Sequence, residues 1–176
     1  MGYHSAPLDV AMTWISRIGQ GGTLWIVLSA IAFASARHRA AAWRVLLALL
    51  VAATVANVIL KPLIARARPD PSPMAVMRAL PPQPPTFAFP SGHAATTFAG
   101  ALAMSRMWSQ GAAVWWSAAV LIGYSRIYLG HHYPFDVLSG AVVGVLAAFW
   151  VLGGRPRSTY ARTLPNPLPP GVIVRP

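Results

Sequence analysis

The 176-residue chain contains no cysteine and no glutamate, and its only acidic residues are Asp9, Asp70 and Asp136. Without cysteine, neither a disulfide framework nor a thiolate metal site can form. Three carboxylates are also too few for the two-metal sites that many hydrolytic enzymes build from acidic side chains. We therefore expect the chain to work without a metal ion and without a cofactor.

Charged residues make up only 10% of the sequence, whereas 56% of the residues are hydrophobic and the mean hydropathy is +0.53. These values lie far outside the profile of a soluble globular domain. A net charge of +11 would suggest nucleic acid in a soluble protein. Here the arginines cluster at the ends of apolar segments, without the basic, aromatic-rich stripe of a nucleic-acid reader. We expect the bilayer and an anionic lipid, and no nucleic acid, as partners. The sequence leaves the oligomeric state open.

The apolar runs predict an all-α fold, a polytopic membrane helix bundle. Residues 8–18 are too short to cross a hydrocarbon core that needs about 20 residues, so we expect an interfacial helix there. On the last run, Gly140 and Gly144 form a small-xxx-small pair that lets a neighbouring helix approach closely. We predict five spans, at residues 23–36, 40–60, 91–107, 112–128 and 134–152.

Proline-rich stretches divide the chain. The prolines between Arg68 and Ser91 exclude a continuous helix, and connections of this length are often functional. We predict an N-terminal segment with its interfacial helix at 1–22, a membrane domain at 23–152 with a Pro-rich active-site loop at 66–90, and a disordered Pro-rich tail at 153–176.

Alternating spans bring three polar motifs to one membrane face, because each motif lies at a turn between an outgoing and a returning helix. The motifs begin at Lys61, Pro90 and Ser125. Most other arginines fall on the opposite face, namely Arg37, Arg39, Arg44, Arg106, Arg155, Arg157, Arg162 and Arg175. By the positive-inside rule we expect the motif face to point to the periplasm or exterior from a bacterial inner membrane.

His132 and Asp136 are four residues apart around Pro134, which suits the first turn of a helix. This spacing can set the Asp136 carboxylate against one imidazole nitrogen of His132, which fixes the tautomer and leaves the other nitrogen free to attack phosphorus. A helix-start aspartate favoured by the macrodipole is the alternative. A carboxylate at a membrane boundary, in a chain with so few, favours a functional role.

The motif Pro90-Ser91-Gly92-His93 predicts the start of a helix with Ser91 as its N-cap. Helix N-termini bind anions, Gly92 lets a phosphate approach the backbone, and His93 can act as acid and then as base. An ordinary cap followed by an incidental histidine is the alternative interpretation of this motif.

Lys61, Arg68 and Arg126 can supply cations to phosphate oxygens. Lys61 is the only lysine in the chain and precedes Arg68 by seven residues, near two helical turns, which suits one face. Snorkelling of Lys61 and Arg68 to the interface would explain their positions as well.

Together these segments resemble the signature of the type 2 phosphatidic acid phosphatase superfamily, which includes bacterial acid phosphatases and vanadium haloperoxidases. The likeness is to its bacterial membrane lipid phosphatase branch. The pattern Lys-x6-Arg-Pro, Pro-Ser-Gly-His and Ser-Arg-x5-His-x3-Asp is matched at Lys61, Arg68, Pro69, Pro90, Ser91, Gly92, His93, Ser125, Arg126, His132 and Asp136.

The resemblance implies a metal-independent reaction in which His132 forms a phosphohistidine while His93 protonates the leaving group and then activates water. It implies that Asp136 orients His132. It also implies that the phosphate oxygens are bound by Lys61, Arg68, Ser91, Gly92 and Arg126.

Three functions remain open at this point. The first is a membrane lipid phosphatase acting on a phosphomonoester or diphosphate, such as undecaprenyl diphosphate, phosphatidylglycerophosphate, phosphatidate or the lipid A phosphate. The second is a lipid phosphotransferase that uses the same phosphohistidine. The third is a non-catalytic membrane protein whose basic residues bind lipid.

Overall fold

The computed structural model describes residues 5–70 and 82–153, and every regular element within these ranges is helical. Residues 71–81 of the predicted loop and all but the first residue of the predicted tail lie outside the described residues. The three-segment division and the disorder of the tail therefore stay predictions.

The helices coincide with the predicted apolar runs, and the predicted interfacial segment is helical as well. Short 3-10 turns, Gln20–Gly22 and Ser109–Gly111, precede two of them. In chain order the helices are α1 (Ala6–Ile18), α2 (Thr23–Phe33), α3 (Arg39–Ile64), α4 (Gly92–Met107), α5 (Ala112–Tyr128) and α6 (Pro134–Leu152).

Helices α3 and α6 are long and apolar enough to cross a membrane, whereas α2 and its preceding turn, Gln20–Phe33, form a shorter apolar helix. Many large apolar side chains are exposed, as expected where lipid is the solvent. They include Leu50, Val58, Leu63, Leu138, Leu146 and Trp150. These features agree with an integral membrane protein, and the number of five spans stays a prediction.

Helix α4 is the central element and contacts α3, α5 and α6. On α6, a Cβ atom at Gly140 would lie 2.4 Å from the carbonyl oxygen of Ser91, and one at Gly144 would lie 2.1 Å from that of Ala95. The close approach predicted for this glycine pair is thus confirmed. Because the two helices meet so closely near their starts, Asp136 comes to lie beside Ser91.

Helix α1 packs against α5 rather than standing apart from the bundle. The hydroxyl of Tyr128 donates a hydrogen bond to Oδ1 of Asp9 at 2.6 Å, and both side chains are buried. Met12 packs with Tyr128 and Leu129 in a small apolar cluster. These contacts hold α1 over the C-terminal end of α5, where Arg126 lies.

Candidate active site

The three predicted motifs meet around one open cavity of about 250 Å³. Asn57 and Thr86, for which the sequence suggested no role, also lie on the wall. Ser91 and Asp136 lie behind the wall and are fully buried. The predicted site residues on the wall are Lys61, Arg68, Gly92, His93, Arg126 and His132.

His132 lies in the turn between α5 and α6 and is only 3% exposed. The carbonyl oxygen of Arg126 shapes this turn by accepting the backbone N–H groups of His131 at 3.0 Å and of His132 at 3.3 Å. Nδ1 of His132 lies 3.7 Å from Oδ2 of Asp136, and Nε2 lies 3.4 Å from Nη1 of Arg68. One ring nitrogen therefore faces a carboxylate and the other faces the cation-lined cavity.

The surroundings of His132 keep its imidazole neutral. Burial, and then the nearby guanidinium groups of Arg68 and Arg126, lower the pKa of His132 to about 2, because each disfavours the charged ring. A neutral imidazole keeps a lone pair on one nitrogen. With a carboxylate on one side and cations on the other, this ring is suited to attack an anionic phosphate.

The carboxylate of Asp136 is held from two sides. Oδ1 accepts a hydrogen bond from Nη1 of Arg66 at 2.9 Å, and Oδ2 accepts the backbone N–H of Tyr133 at 2.9 Å. The Arg66 guanidinium also lies 4.2 Å from the centroid of the Tyr133 ring. Arg66 lies between Lys61 and Arg68 in the first motif, but the sequence does not reveal this ion pair, because the two partners are 70 residues apart.

Lys61 is positioned by Asn57, one helical turn earlier, whose Oδ1 accepts a hydrogen bond from Nζ at 2.9 Å. Asn57 lies in the π-helical segment Thr54–Leu60, and such segments are frequent at functional sites. A Cβ atom at Gly92 would lie 2.3 Å from Oδ1 of Asn57, so a side chain at the start of α4 would displace the Asn57 amide that holds Lys61. A polar residue within an apolar run is the sequence signal that could have identified Asn57.

Arg68 connects the end of the predicted loop to the turn between α5 and α6. Its Nε donates to the carbonyl oxygen of Thr86 at 2.7 Å, and Nη2 donates to Oγ1 of Thr86 at 2.9 Å and to the carbonyl oxygen of Phe87 at 3.2 Å. Nη1 donates to the carbonyl oxygen of His131 at 2.6 Å. Arg68 therefore acts as a structural tie as well as a cation on the cavity wall.

Arg126 lies in the last turn of α5 and is 4% exposed. Its Nη1 donates to Oγ of Ser16 on α1, whereas Nε has no hydrogen-bond partner among the described residues. Buried polar groups nearly always have a partner, so a phosphate oxygen in the cavity is a fitting acceptor for Nε. The sequence predicted an interfacial position for α1 and gave no indication that Ser16 contributes to this site.

Ser91 is the N-cap of α4, as predicted, with Oγ accepting the backbone N–H of Ala94 at 3.4 Å. The backbone N–H of Ser91 donates to the carbonyl oxygen of Asp136 at 2.9 Å and is already engaged. A phosphate contact by Ser91 would therefore need its hydroxyl hydrogen, and the predicted role stays a prediction. His93 lies in the first turn of α4 and faces the cavity.

Comparison with known proteins gives concordant results. A sequence profile of the PAP2 superfamily matches residues 41–160. The chain is 29% identical over 153 residues to the undecaprenyl-diphosphatase of Sulfolobus acidocaldarius, with 82% of this chain and 69% of that protein covered. It is 33% identical over 147 residues to the decaprenylphosphoryl-5-phosphoribose phosphatase of Mycobacterium tuberculosis, with 82% and 80% covered.

A crystal structure of the transmembrane PAP2-type phosphatidylglycerolphosphate phosphatase from Bacillus subtilis shares the fold, with a TM-score of 0.69 and 27% identity. The match covers 86% of this chain and 78% of that chain. Family profile, relatives and fold all agree with the motifs gathered around the cavity. The chain therefore belongs to the PAP2 superfamily and is a phosphoric monoester or diphosphate hydrolase.

Proposed function

We propose that this protein hydrolyses a membrane lipid phosphomonoester or diphosphate through a phosphohistidine on His132. The observation that carries the proposal is the orientation of the His132 ring, with Nδ1 facing Asp136 and Nε2 facing the cavity. Relatives named for undecaprenyl diphosphate and for decaprenylphosphoryl-5-phosphoribose support a substrate with a polyprenyl or comparable lipid anchor.

In the first step, Nε2 of His132 attacks phosphorus, and the bond from phosphorus to the leaving oxygen breaks as the N–P bond forms. Lys61, Arg68 and Arg126 stabilise the charge on the non-bridging oxygens, and Asp136 stabilises the positive charge that develops on the imidazole. His93 transfers a proton to the leaving oxygen, a role that requires its imidazole to carry that proton when the anionic substrate is bound.

In the second step, His93 accepts a proton from a water molecule whose oxygen attacks the phosphohistidine. The N–P bond breaks, inorganic phosphate leaves, and His132 returns to its neutral form. The same imidazole thus serves as acid and then as base, and the protein's own cations supply the charge stabilisation that metal ions supply in other phosphatases.

The test uses the purified full-length protein in detergent with excess chelator and no acceptor alcohol. The substrates are undecaprenyl diphosphate, phosphatidylglycerophosphate, phosphatidate and lipid A. We expect inorganic phosphate from at least one lipid and, in rapid-quench experiments with radiolabelled substrate, an acid-labile phosphoenzyme. His132→Ala should abolish both, whereas His38→Ala, in the turn between α2 and α3, should keep both.

Each contrary result has a distinct meaning. Labelled protein in His132→Ala would rule out His132 as the nucleophile. Activity lost in chelator and restored by Mg²⁺ would overturn the metal-free mechanism. Turnover only after addition of a lipid alcohol would identify a phosphotransferase, and lipid binding without turnover of any substrate would identify a non-catalytic lipid-binding protein.

A further inference from the structure

A second cavity of about 200 Å³ adjoins the catalytic one. His93, Arg126 and Pro84 line both cavities. A general acid must lie at the leaving oxygen, so the space beyond His93 is where the atoms attached to that oxygen extend. The rest of the wall includes residues from α1 and the turn after it, namely Thr13, Ser16, Arg17 and Gln20.

Two arginines and several hydrogen-bonding side chains line this second cavity, beside the apolar side chains of Pro82, Pro84 and Leu129. Arg17 and Arg126 bring guanidinium groups, Thr13 and Ser16 bring hydroxyls, and Gln20 brings an amide. No carboxylate is among the described residues that line it. Guanidinium groups form strong, charge-assisted hydrogen bonds with phosphate oxygens, so this wall suits an anion.

The α1 side of the cavity is fixed to the catalytic machinery. Ser16 accepts a hydrogen bond from Arg126, and one end of α1 is held by the buried hydrogen bond from Tyr128 to Asp9. A ligand in the second cavity would therefore meet a preformed wall, which lowers the entropic cost of binding.

The outer face of α1 suits a lipid chain. Val10, Trp14 and Ile18 recur every four residues, so they share one helix face, and they are 58%, 57% and 48% exposed. The Arg17 guanidinium lies 5.2 Å from the centroid of the Trp14 ring. An apolar stripe beside an arginine is typical of a helix at the membrane interface. A lipid whose headgroup occupies the cavity can extend its tail along this stripe.

We propose that the second cavity binds a non-reacting second phosphate on the leaving-group side of the substrate. The inference rests on the proposed hydrolase function and narrows it to lipids that carry two phosphates in sequence. The terminal phosphate occupies the catalytic cavity, and the phosphate attached to the lipid lies between Arg17 and Arg126. A lipid monophosphate has no group for this site and is the poorer substrate.

Farnesyl diphosphate and farnesyl monophosphate test the proposal, because they differ only in the second phosphate. Initial rates of phosphate release are measured for the full-length wild type, Arg17→Gln and Arg17→Lys. Arg17→Gln should lower kcat/KM for the diphosphate about two- to fivefold more than for the monophosphate, the ratio expected for one solvent-exposed charged contact. Arg17→Lys, which keeps the charge, should restore most of the loss.

Arg39→Gln is the matched control, since it removes the same charge at the far end of α3, roughly 33 Å from Lys61, and should change neither rate. A second readout is competitive inhibition by inorganic diphosphate and by orthophosphate. Gln20→Glu, which places a negative charge in the cavity, should weaken inhibition by diphosphate more than inhibition by orthophosphate. Gln20→Met, which removes the amide without adding a charge, should show a smaller difference between the two inhibitors than Gln20→Glu.

Equal penalties of Arg17→Gln on the two substrates, or equal effects of Gln20→Glu on the two inhibitors, would overturn the second phosphate site while leaving the hydrolase function intact. A wild-type protein that releases no phosphate from either substrate or from the lipid panel would instead overturn the hydrolase function. The two failures are therefore distinguishable.

Discussion

The two histidines on the cavity wall have different surroundings. His132 is almost completely buried with a carboxylate behind it, whereas His93 borders both the catalytic and the second cavity. This contrast suits a nucleophile held in one orientation and an acid that reaches the leaving group.

Substitution of His93 should therefore have an effect that depends on the leaving group. His93→Ala should cost roughly 10²- to 10⁴-fold in kcat on an alkyl lipid phosphate, because a poor leaving oxygen needs a proton in the transition state. The cost should be smaller on an aryl phosphate. The measurement is kcat across a series of leaving groups, and a uniform penalty would mean that His93 is not the acid.

Arg66 is predicted to position the nucleophile through Asp136, which is fully buried. Arg66→Gln removes a charged partner of that carboxylate, and a loss of this kind lowers kcat about tenfold to a hundredfold. KM should change little, because Arg66 is not part of the cavity wall. Arg66→Lys should retain part of the activity, since lysine keeps the positive charge but lacks the planar guanidinium group.

The Asp136→Asn background supplies the control for Arg66. If Arg66 acts through Asp136, Arg66→Gln should add little to the loss already caused by Asp136→Asn, because the two residues form one coupled unit. Independent losses that multiply, or a rise in KM with kcat intact, would mean that Arg66 contacts the substrate instead.

At the level of elements, the contact of α4 with α6 brings the second and third motifs together. Gly140→Ala would place a methyl group against the backbone of Ser91, which cannot move without shifting the start of α4. We expect a loss of about 1–3 kcal/mol in unfolding free energy and a fall in kcat, since the bond from Ser91 to Asp136 would shift.

Two variants on α6 check this interpretation by thermal unfolding and activity in detergent. Gly144→Ala, which would meet the backbone one turn further along at Ala95, should lose similar stability with a smaller effect on kcat. Val142→Ile adds a methylene on the exposed face of the same helix and should change neither quantity. A fully stable and active Gly140→Ala protein would contradict the packing argument.

At the level of the whole molecule, basic residues lie at both ends of the bundle, and those at the cavity end have roles in the proposed site. Lys61 lies in the last turn of α3 and Gly92 starts α4 at the cavity, whereas Arg39 and Arg106 lie at the opposite ends of these helices. With the positive-inside rule, this arrangement predicts that the cavity faces away from the cytoplasm.

The absence of native cysteine makes this sidedness simple to measure. Pro85→Cys and Arg39→Cys each introduce a single thiol at an exposed position. A membrane-impermeant maleimide should label Pro85→Cys in intact cells and should label Arg39→Cys only after permeabilisation. The reverse pattern would move the active site to the cytoplasm and exclude substrates of the outer leaflet.

The stability of the whole molecule should depend on pH through His132. Its folded-state pKa of about 2 lies below the ordinary value near 6.5, so the unfolded chain binds the extra proton. The stability from the neutral ring is complete above pH 6.5 and is lost as the pH falls, by up to about 1.4 kcal/mol per pH unit. Thermal unfolding between pH 7.5 and 5 should show a smaller decline for His132→Asn.

His38→Asn serves as the control in that experiment, because His38 lies in the turn between α2 and α3, away from the cavity. Its decline in Tm with falling pH should match that of the wild type. Parallel curves for the wild type and His132→Asn would show that His132 does not contribute to the pH dependence of stability.

Local patterns in the sequence predicted the helices and most residues of the candidate site. Apolar runs predict where α2 to α6 lie, because side chains that face lipid and side chains that are buried in the bundle must both be apolar. Ser91 as N-cap and Pro134 in the first turn of α6 follow from backbone geometry within a few residues. The alternation of the predicted spans was sufficient to predict that the motifs of Lys61, Arg68 and His132 meet at one end of the bundle.

Only the tertiary structure decided how these residues are supported. The pairing of Arg66 with Asp136, the contact of Ser16 with Arg126 and the second cavity beside α1 join residues that are far apart in sequence. Such pairings depend on how closely helices approach and in which register, and both are set by small side chains such as Gly140. A sequence motif indicates which functional groups the reaction uses, whereas the packing of the bundle determines which neighbouring residues orient those groups.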